Sequence, residues 1–298
     1  MSVRLAVLLV VAPLTRGFAQ QPSVTLVDTA VLAAPRLTES SGIVASRRPG
    51  VYWTLNDSGD GPVLYATDSA GHDLGRVTVD GARNVDWEDL SAGQCPRTSV
   101  RCLYVADTGD NSARRPSITI YAVPEPPPPL HARDTLRTAP IEAVLRYVYP
   151  DRPHDAEALA MLPGGRFLLI TKDLFGPARM YEGSARSAGR PDTLRYLGTL
   201  PIPTRALSGR LVTGAAATPD GTLLVVRTYV SLHFFDLPDS GAPAAIGPAD
   251  GIPIPVVETQ GEGVAFAGQA LLVLTSEARA RRHAILTRLR VEGLSLQR

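Results

Sequence analysis

One short pattern recurs five times along these 298 residues. An acidic or small polar residue opens a strand, a hairpin turn follows, and the next strand ends on a second polar residue. The first units run from Glu39-Ser40-Ser41-Gly42-Ile43 to Asn56-Asp57, from Asp86-Trp87-Glu88-Asp89-Leu90 to Ala106-Asp107, and from Asp155-Ala156-Glu157-Ala158-Leu159 to Lys172-Asp173. Thr213-Gly214-Ala215-Ala216 to Arg227-Thr228 and Gly261-Glu262-Gly263-Val264 to Ser276-Glu277 complete the series. The paired polar positions lie roughly 15–19 residues apart and the units recur about every 50–70 residues, the spacing of propeller blades.

Each unit contains a short apolar run before its second polar position: Val51-Tyr52-Trp53-Thr54-Leu55, Leu103-Tyr104-Val105, Phe167-Leu168-Leu169-Ile170-Thr171, Leu223-Leu224-Val225-Val226 and Leu271-Leu272-Val273-Leu274-Thr275. Runs this short, bounded by turn residues, predict buried strands rather than helices. Turns such as Pro49-Gly50, Gly164-Gly165 and Pro219-Asp220-Gly221 precede them and supply the positive φ that tight hairpins need. A third strand follows each time, and a weaker fourth closes all but the last unit. There the chain ends, so Val24-Thr25-Leu26-Val27-Asp28 is expected to supply the missing outer strand. Closing the ring this way leaves no open sheet edge. The expected fold is all-β: a five-bladed β-propeller over residues 20–298, a single domain closed by its N- and C-terminal strands. A sixth blade has room in the long second unit or in 237–258.

Arg4, the apolar run Leu5 to Leu14 and the small-x-small triplet Gly17-Phe18-Ala19 form the three parts of a signal peptide over residues 1–19. That run is too short for a membrane span, and the expected location is periplasmic or secreted. Without residues 1–19, which hold Arg4 and Arg16, the 30 basic residues become 28 against 29 acidic ones, a net charge of −1. Such a balance gives no global case for nucleic acid or an anionic membrane. Cys95 and Cys102 are the only cysteines, and in an exported protein the pair reads as a disulfide closing a small loop. The proline run Val123-Pro124-Glu125-Pro126-Pro127-Pro128-Pro129-Leu130 predicts an extended segment, either a docking site for a proline-binding module or a stiff excursion between outer strands.

In a propeller, the start of strand one and the end of strand two lie on one face of the disc. The repeat therefore places Glu39, Glu88, Glu157, Thr213 and Glu262 around a channel mouth, with Asp57, Asp107, Asp173, Thr228 and Glu277 just outside. Crowded carboxylates need a cation, a basic neighbour or raised pKa values. Oxygen ligands suit Ca²⁺, and no His/Cys cluster offers a zinc site. The candidate metal ligands are Glu39, Asn56, Asp57, Glu88, Asp107, Glu157 and Glu262. The loops Asn56-Asp57-Ser58-Gly59-Asp60 and Ala106-Asp107-Thr108-Gly109-Asp110 share Asp-Ser/Thr-Gly-Asp, which can wrap an ion or cap a turn. Lys172, the only lysine, and Arg227 are the nearby bases. Glu157, His154 and Lys172 are the candidate catalytic residues: His154 sits beside a repeated acid as a general base or as a simple turn residue.

The motifs Glu39-Ser40-Ser41-Gly42, Asn56-Asp57-Ser58-Gly59-Asp60, Asp86-Trp87-Glu88-Asp89, Asp107-Thr108-Gly109-Asp110-Asn111 and His154-Asp155-Ala156-Glu157-Ala158 resemble a family of exported, mostly uncharacterised bacterial β-propeller proteins. The resemblance covers about residues 37–175 well and the rest loosely. More distantly, the acidic mouth resembles calcium-dependent propeller hydrolases of the gluconolactonase-like and phytase-like groups. That likeness implies Ca²⁺ held by Glu39, Asn56, Glu88, Glu157 and Glu262; Thr213 departs from the ring.

Two functions follow as expectations. One is an exported propeller that binds a small-molecule or protein ligand at its acidic mouth with Ca²⁺, as a monomer. The other is a Ca²⁺-dependent hydrolase of an ester, lactone or phosphate with Glu157 or His154 as base. A quinone-cofactor dehydrogenase has no motif beyond the scaffold to support it.

Overall fold

Short apolar runs separated by glycine turns fold into five sheets, antiparallel apart from two added edge strands, arranged as propeller blades. The computed structural model describes residues 21–129, 131, 137–186, 191–203, 206–238, 243–268, 270–279 and 283–294. The predicted leader, residues 1–19, lies outside them. Among the described residues there are strands and two short 3-10 turns but no α-helix.

The inner strands are Ser40–Ala45, Trp87–Gln94, Ala156–Met161, Val212–Ala217 and Gly261–Phe266. Each packs against the inner strand of the next blade, and the fifth returns to the first. The second strands Val51–Asn56, Arg101–Asp107, Arg166–Thr171, Leu223–Thr228 and Leu271–Ser276 are buried almost end to end. A radial blade is covered on both faces by its neighbours, so its strands are continuously apolar rather than alternating. The core is accordingly five apolar layers, one between each pair of adjacent blades. Trp87 belongs to one of them, and its Nε1 donates to the Arg83 carbonyl at 2.9 Å.

The N-terminal strand Ser23–Val31 pairs antiparallel with the C-terminal Ile285–Glu292, closing the ring. Arg288 and Asp28 form an ion pair across that seam. The extra length of the second unit is absorbed without a sixth blade. Its segment Arg137–Pro140 crosses to the first blade and adds a parallel edge strand to Asp73–Asp80. Asp192–Thr193 of the third blade does the same for Ala143–Val148 of the second. The other poorly patterned stretch yields Ala244–Ile246 and Ile252–Pro253, both paired with Ser231–Asp236.

The proline run carries the chain from the second blade to that edge. Pro129 lies where a Cβ on Gly75 would come within 2.8 Å of it, and Gly75 has φ of +115°. Both facts require glycine there. Glu125, buried at the start of the run, accepts from the Ser46 hydroxyl at 2.7 Å and the Arg47 amide at 2.9 Å, and it pairs with Arg101. Burial alone would raise the Glu125 carboxyl; these donors outweigh it and hold it below its ordinary value. Cys95 and Cys102 form the disulfide, Cα atoms 4.9 Å apart, closing the inner hairpin of the second blade.

Replacing both cysteines by serine is expected to lower stability by about 2–3 kcal/mol, the loop-closure entropy of so small a ring, as read by denaturant unfolding. Glu125→Gln is expected to cost roughly 1–3 kcal/mol at neutral pH. A carboxyl whose folded pKa is depressed stabilises above its unfolded pKa and loses that stabilisation as pH falls through the folded value. The difference between wild type and Glu125→Gln should therefore shrink on acidification, and urea melts at two pH values check it.

Candidate metal centre

Each inner strand carries a β-bulge near its start. The register breaks between Ser40 and Ile43, Trp87 and Asp89, Ala156 and Ala158, Val212 and Gly214, and Gly261 and Val264. A bulge places two residues opposite one and re-aims a side chain. The residues inside these breaks include Ser41, Glu88, Glu157, Thr213 and Glu262. Strand pairing thus makes Ser41, not Glu39, the first-blade counterpart of Glu88. Glu39 instead matches Asp86 and Asp155, and it is exposed.

The same register reassigns the second polar position. Asn56 and Asp107 are equivalent, each opposite the residue just before its bulge. The next residues along, Asp57, Lys172, Tyr229 and Glu277, are the ones that reach the mouth. Asn56 is committed to its own loop: its amide donates to the Arg36 carbonyl at 2.6 Å and to Asp60 at 2.8 Å, and its carbonyl oxygen accepts from the Glu39 amide at 3.0 Å. Asp107 pairs with Arg115 at 2.8 Å and accepts from the Asp86 amide. Asp60 and Asp110 likewise cap their turns, through Tyr65 and the Arg115 amide. Asp173 accepts from the amides of Phe175 and Gly176.

Two overlapping groups of carboxylates meet at the mouth. Ligand oxygens of Asp57, Asp86 and Glu88 lie within 4.8 Å of one another, and so do those of Glu88, Asp155 and Glu157. Glu88, buried, belongs to both. Asp86 and Asp155 stand in the motifs read above, yet only the folded register shows them as members of the site. The backbone at Gly109 lies directly against this cluster. A Cβ there would overlap Glu88 Oε1 and come within 2.5 Å of the Asp86 carboxyl carbon.

The electrostatics follow from burial and crowding. Glu88 is pushed well above its ordinary pKa by burial, then by Glu157, Asp57, Asp86 and Asp155. Burial, Asp57 and Asp155 push Asp86 up to about 6. Glu157 is also raised by burial, against the pull of Lys172, whose Nζ lies 2.8 Å from Glu157 Oε1. Burial would lower the Lys172 ammonium, but Glu157 and Glu262 outweigh it and hold it charged. Lys172 also lies 5.5 Å from the Tyr229 ring centre. Crowding and burial thus both favour the protonated form of these carboxyls, and a bound cation would oppose that.

Glu262 belongs to neither carboxylate group. One oxygen accepts from Gln260 Nε2 at 2.7 Å, and the same amide nitrogen lies 2.7 Å from Glu277. Arg227 is wholly buried and turned elsewhere, donating to the Gly263 and Thr275 carbonyls at 2.7 and 2.9 Å and pairing with Glu258. His154 is bound to Tyr181 Oη at 2.8 Å and to Asp151 at 3.0 Å. Burial lowers its pKa, so the imidazole is neutral at pH 7. Its partners are these two residues rather than Glu157.

One residue beyond Glu88, Asp89 is fully buried. It accepts from the amides of Leu90 at 2.7 Å, Leu159 at 2.8 Å and Ala215 at 3.4 Å, tying three blades together. A cavity of about 590 Å³ lies below it at the opposite end of the channel, lined by residues such as Val44, Ala92, Met161, Ala216 and Phe266. A cleft of about 460 Å³ adjoins the acids instead, between Asn111 and Arg152 on one side and Lys172 and Phe175 on the other.

The fold is shared with the PQQ-bound aldose sugar dehydrogenase from Streptomyces coelicolor, at 12% identity and a TM-score of 0.52 over 92% of this chain and 99% of that one. A luciferin-regenerating enzyme is more loosely similar, at 12% identity and a TM-score of 0.44 over 90% of this chain and 96% of that one. So is a gluconolactonase from Xanthomonas campestris, at 13% identity and 0.48 over 90% and 94%. No protein-family model matches the sequence, and no curated protein matches it. The distant likeness to propeller enzymes read from the sequence holds at the level of fold.

Gly109→Ala is expected to force the Glu88 and Asp86 carboxylates apart and to cost about 1–3 kcal/mol, as overpacking does. Thermal melting checks the cost. A variant as stable as wild type would mean that the cluster is slack.

Proposed function

We propose that this protein is an exported β-propeller that binds Ca²⁺ at the channel mouth and uses that face to hold a ligand. The observation that carries the reading is the pair of carboxylate groups sharing Glu88. Asp57, Asp86, Glu88, Asp155 and Glu157 are hard oxygen donors forming two triads that share Glu88, each compact enough to hold an ion. Their chemistry fits Ca²⁺ better than zinc, which prefers nitrogen and sulfur. Export is supported by the three-part leader and by a disulfide, which persists in oxidising compartments.

A hydrolase is the second reading, favoured by Glu157. This carboxyl belongs to the ion-binding group and is bonded to the only lysine, which keeps a permanent positive charge beside it. Ca²⁺, when bound, would polarise an ester, lactone or phosphate oxygen. Glu157 would take the proton of the attacking water, and Lys172 would steady the resulting charge. Turnover of lactone, aryl-ester or phosphate substrates that is abolished by chelation and by Glu157→Gln would establish this reading. Turnover surviving Glu157→Gln would remove Glu157 as the base.

Ca²⁺ is expected to raise the melting temperature reversibly, by the equivalent of about 2.7 kcal/mol at a hundredfold excess over Kd, and EDTA should undo it. Glu88→Gln should weaken Ca²⁺ at least about tenfold in calorimetry, because one charged ligand common to both groups is lost. Wild-type protein that neither melts higher nor releases heat with Ca²⁺ would end the proposal.

A further inference from the structure

The mouth holds one polar atom that the proposed Ca²⁺ site does not use. Glu262 is 3% exposed, and its Oε2 has no hydrogen-bond partner among the described residues. Leaving a buried carboxylate oxygen unsatisfied is costly. Its other oxygen is occupied by Gln260. Lys172 is bonded to Glu157 instead and forms no ion pair with Glu262.

Three observations narrow what belongs there. First, acidic groups are in excess. Asp57, Asp86, Glu88, Asp155, Glu157, Glu262 and Glu277 gather around Lys172, with Arg279 at the edge, 3.8 Å from Glu277. Second, Glu262 lies outside both metal-sized carboxylate groups. One free oxygen falls far short of the roughly six to eight that Ca²⁺ takes, and it suits a single N–H donor. Third, exposed apolar side chains stand on the loops of this face. Val230 follows Tyr229 and Val257 precedes Glu258, at 48% and 84% exposure, and Phe175 on the third blade is 94% exposed.

We propose that Glu262 anchors the cationic group of an organic ligand, an alkylammonium or guanidinium, whose apolar portion lies on the neighbouring loops. The donor points at Oε2, and Gln260 holds the carboxylate in place from the other side. Glu277 adds negative charge, while Tyr229 offers an aromatic face beside the site. The subsite is separate from the Ca²⁺ centre, although both belong to the ligand-binding mouth proposed above, and on that reading this inference rests.

Isothermal titration of the mature protein with n-butylamine, n-butylguanidine, n-butanol and n-butyrate, in saturating Ca²⁺ and in EDTA, tests it. Either cation should bind at least about tenfold more tightly than the alcohol, and the anion should not bind, because a charge-assisted hydrogen bond is stronger than a neutral one. Glu262→Gln should remove that preference while leaving Ca²⁺ affinity within about threefold of wild type, since it lies outside the ion's ligand set. Equal binding of amine and alcohol by wild type would sink the proposal without recourse to any variant. So would a Glu262→Gln protein that keeps its amine affinity, or one that loses Ca²⁺ as far as Glu88→Gln does. A wild type that ignores Ca²⁺ yet binds butylamine through Glu262 would retire the metal centre and support the subsite.

Discussion

Everything at the mouth rests on one backbone irregularity repeated in all five blades. Each inner strand is buried between its neighbours, where a carboxylate has no place unless donors surround it, as they do Asp89. The bulge at its start supplies the exception. It adds one residue to the strand without disturbing the pairing beyond it, and that residue is turned out of the apolar layer. Glu88, Glu157 and Glu262 thereby share short strands with Leu90, Leu159 and Val264, which fill the inter-blade core. The same device explains why the polar repeat is so conspicuous along the chain.

Bringing the acids together creates a problem that the protein's own bases leave unsolved. Arg115 is taken by Asp107, and Arg227 by Glu258 and two carbonyls. Among the described residues, Lys172 alone forms an ion pair within the cluster, and it serves Glu157. Like charges at this spacing cannot all ionise unless a cation joins them. Gly109 sharpens the point. Its backbone lies where any side chain would hold Glu88 and Asp86 apart, so the close approach is built into the loop rather than tolerated.

The architecture was legible because it depends on periodicity. Apolar runs, glycine turns and a missing last strand pointed to five blades and a seam closed by Val24 to Asp28, and the structure has both, with the seam strand extending over Ser23–Val31. The extra length in the second unit was ambiguous because an edge strand given to the next blade looks, in sequence, like material for another blade. The site was legible to within one residue, which for a strand is the difference between one face and the other. Aligning Glu39 with Glu88, and Asp107 with Asp57, followed residue type. The bulges shift the count, so that Asp57 reaches the mouth while Asn56 and Asp107 tie down loops. Asp86 and Asp155 were visible as letters in their motifs, but nothing short of the pairing register distinguishes them from turn residues. Asp89 stood in the same motif, but its role was hidden, since two of its partners are backbone amides of blades distant in sequence.

That last residue determines what kind of recess the mouth can be. Asp89 belongs to the second blade but accepts from Leu159 of the third and Ala215 of the fourth, so its carboxylate lies near the axis. It is inaccessible to solvent, reached neither from the acids above nor from the apolar cavity below. Burial raises its pKa, and the three amides oppose that rise. An open tunnel would hydrate this group and need no amides to satisfy it. With the axis closed at Asp89, the acidic end is a blind recess. Whatever binds there must enter and leave by the one face on which Phe175, Val230 and Val257 are exposed, and it cannot draw on the larger apolar cavity for affinity.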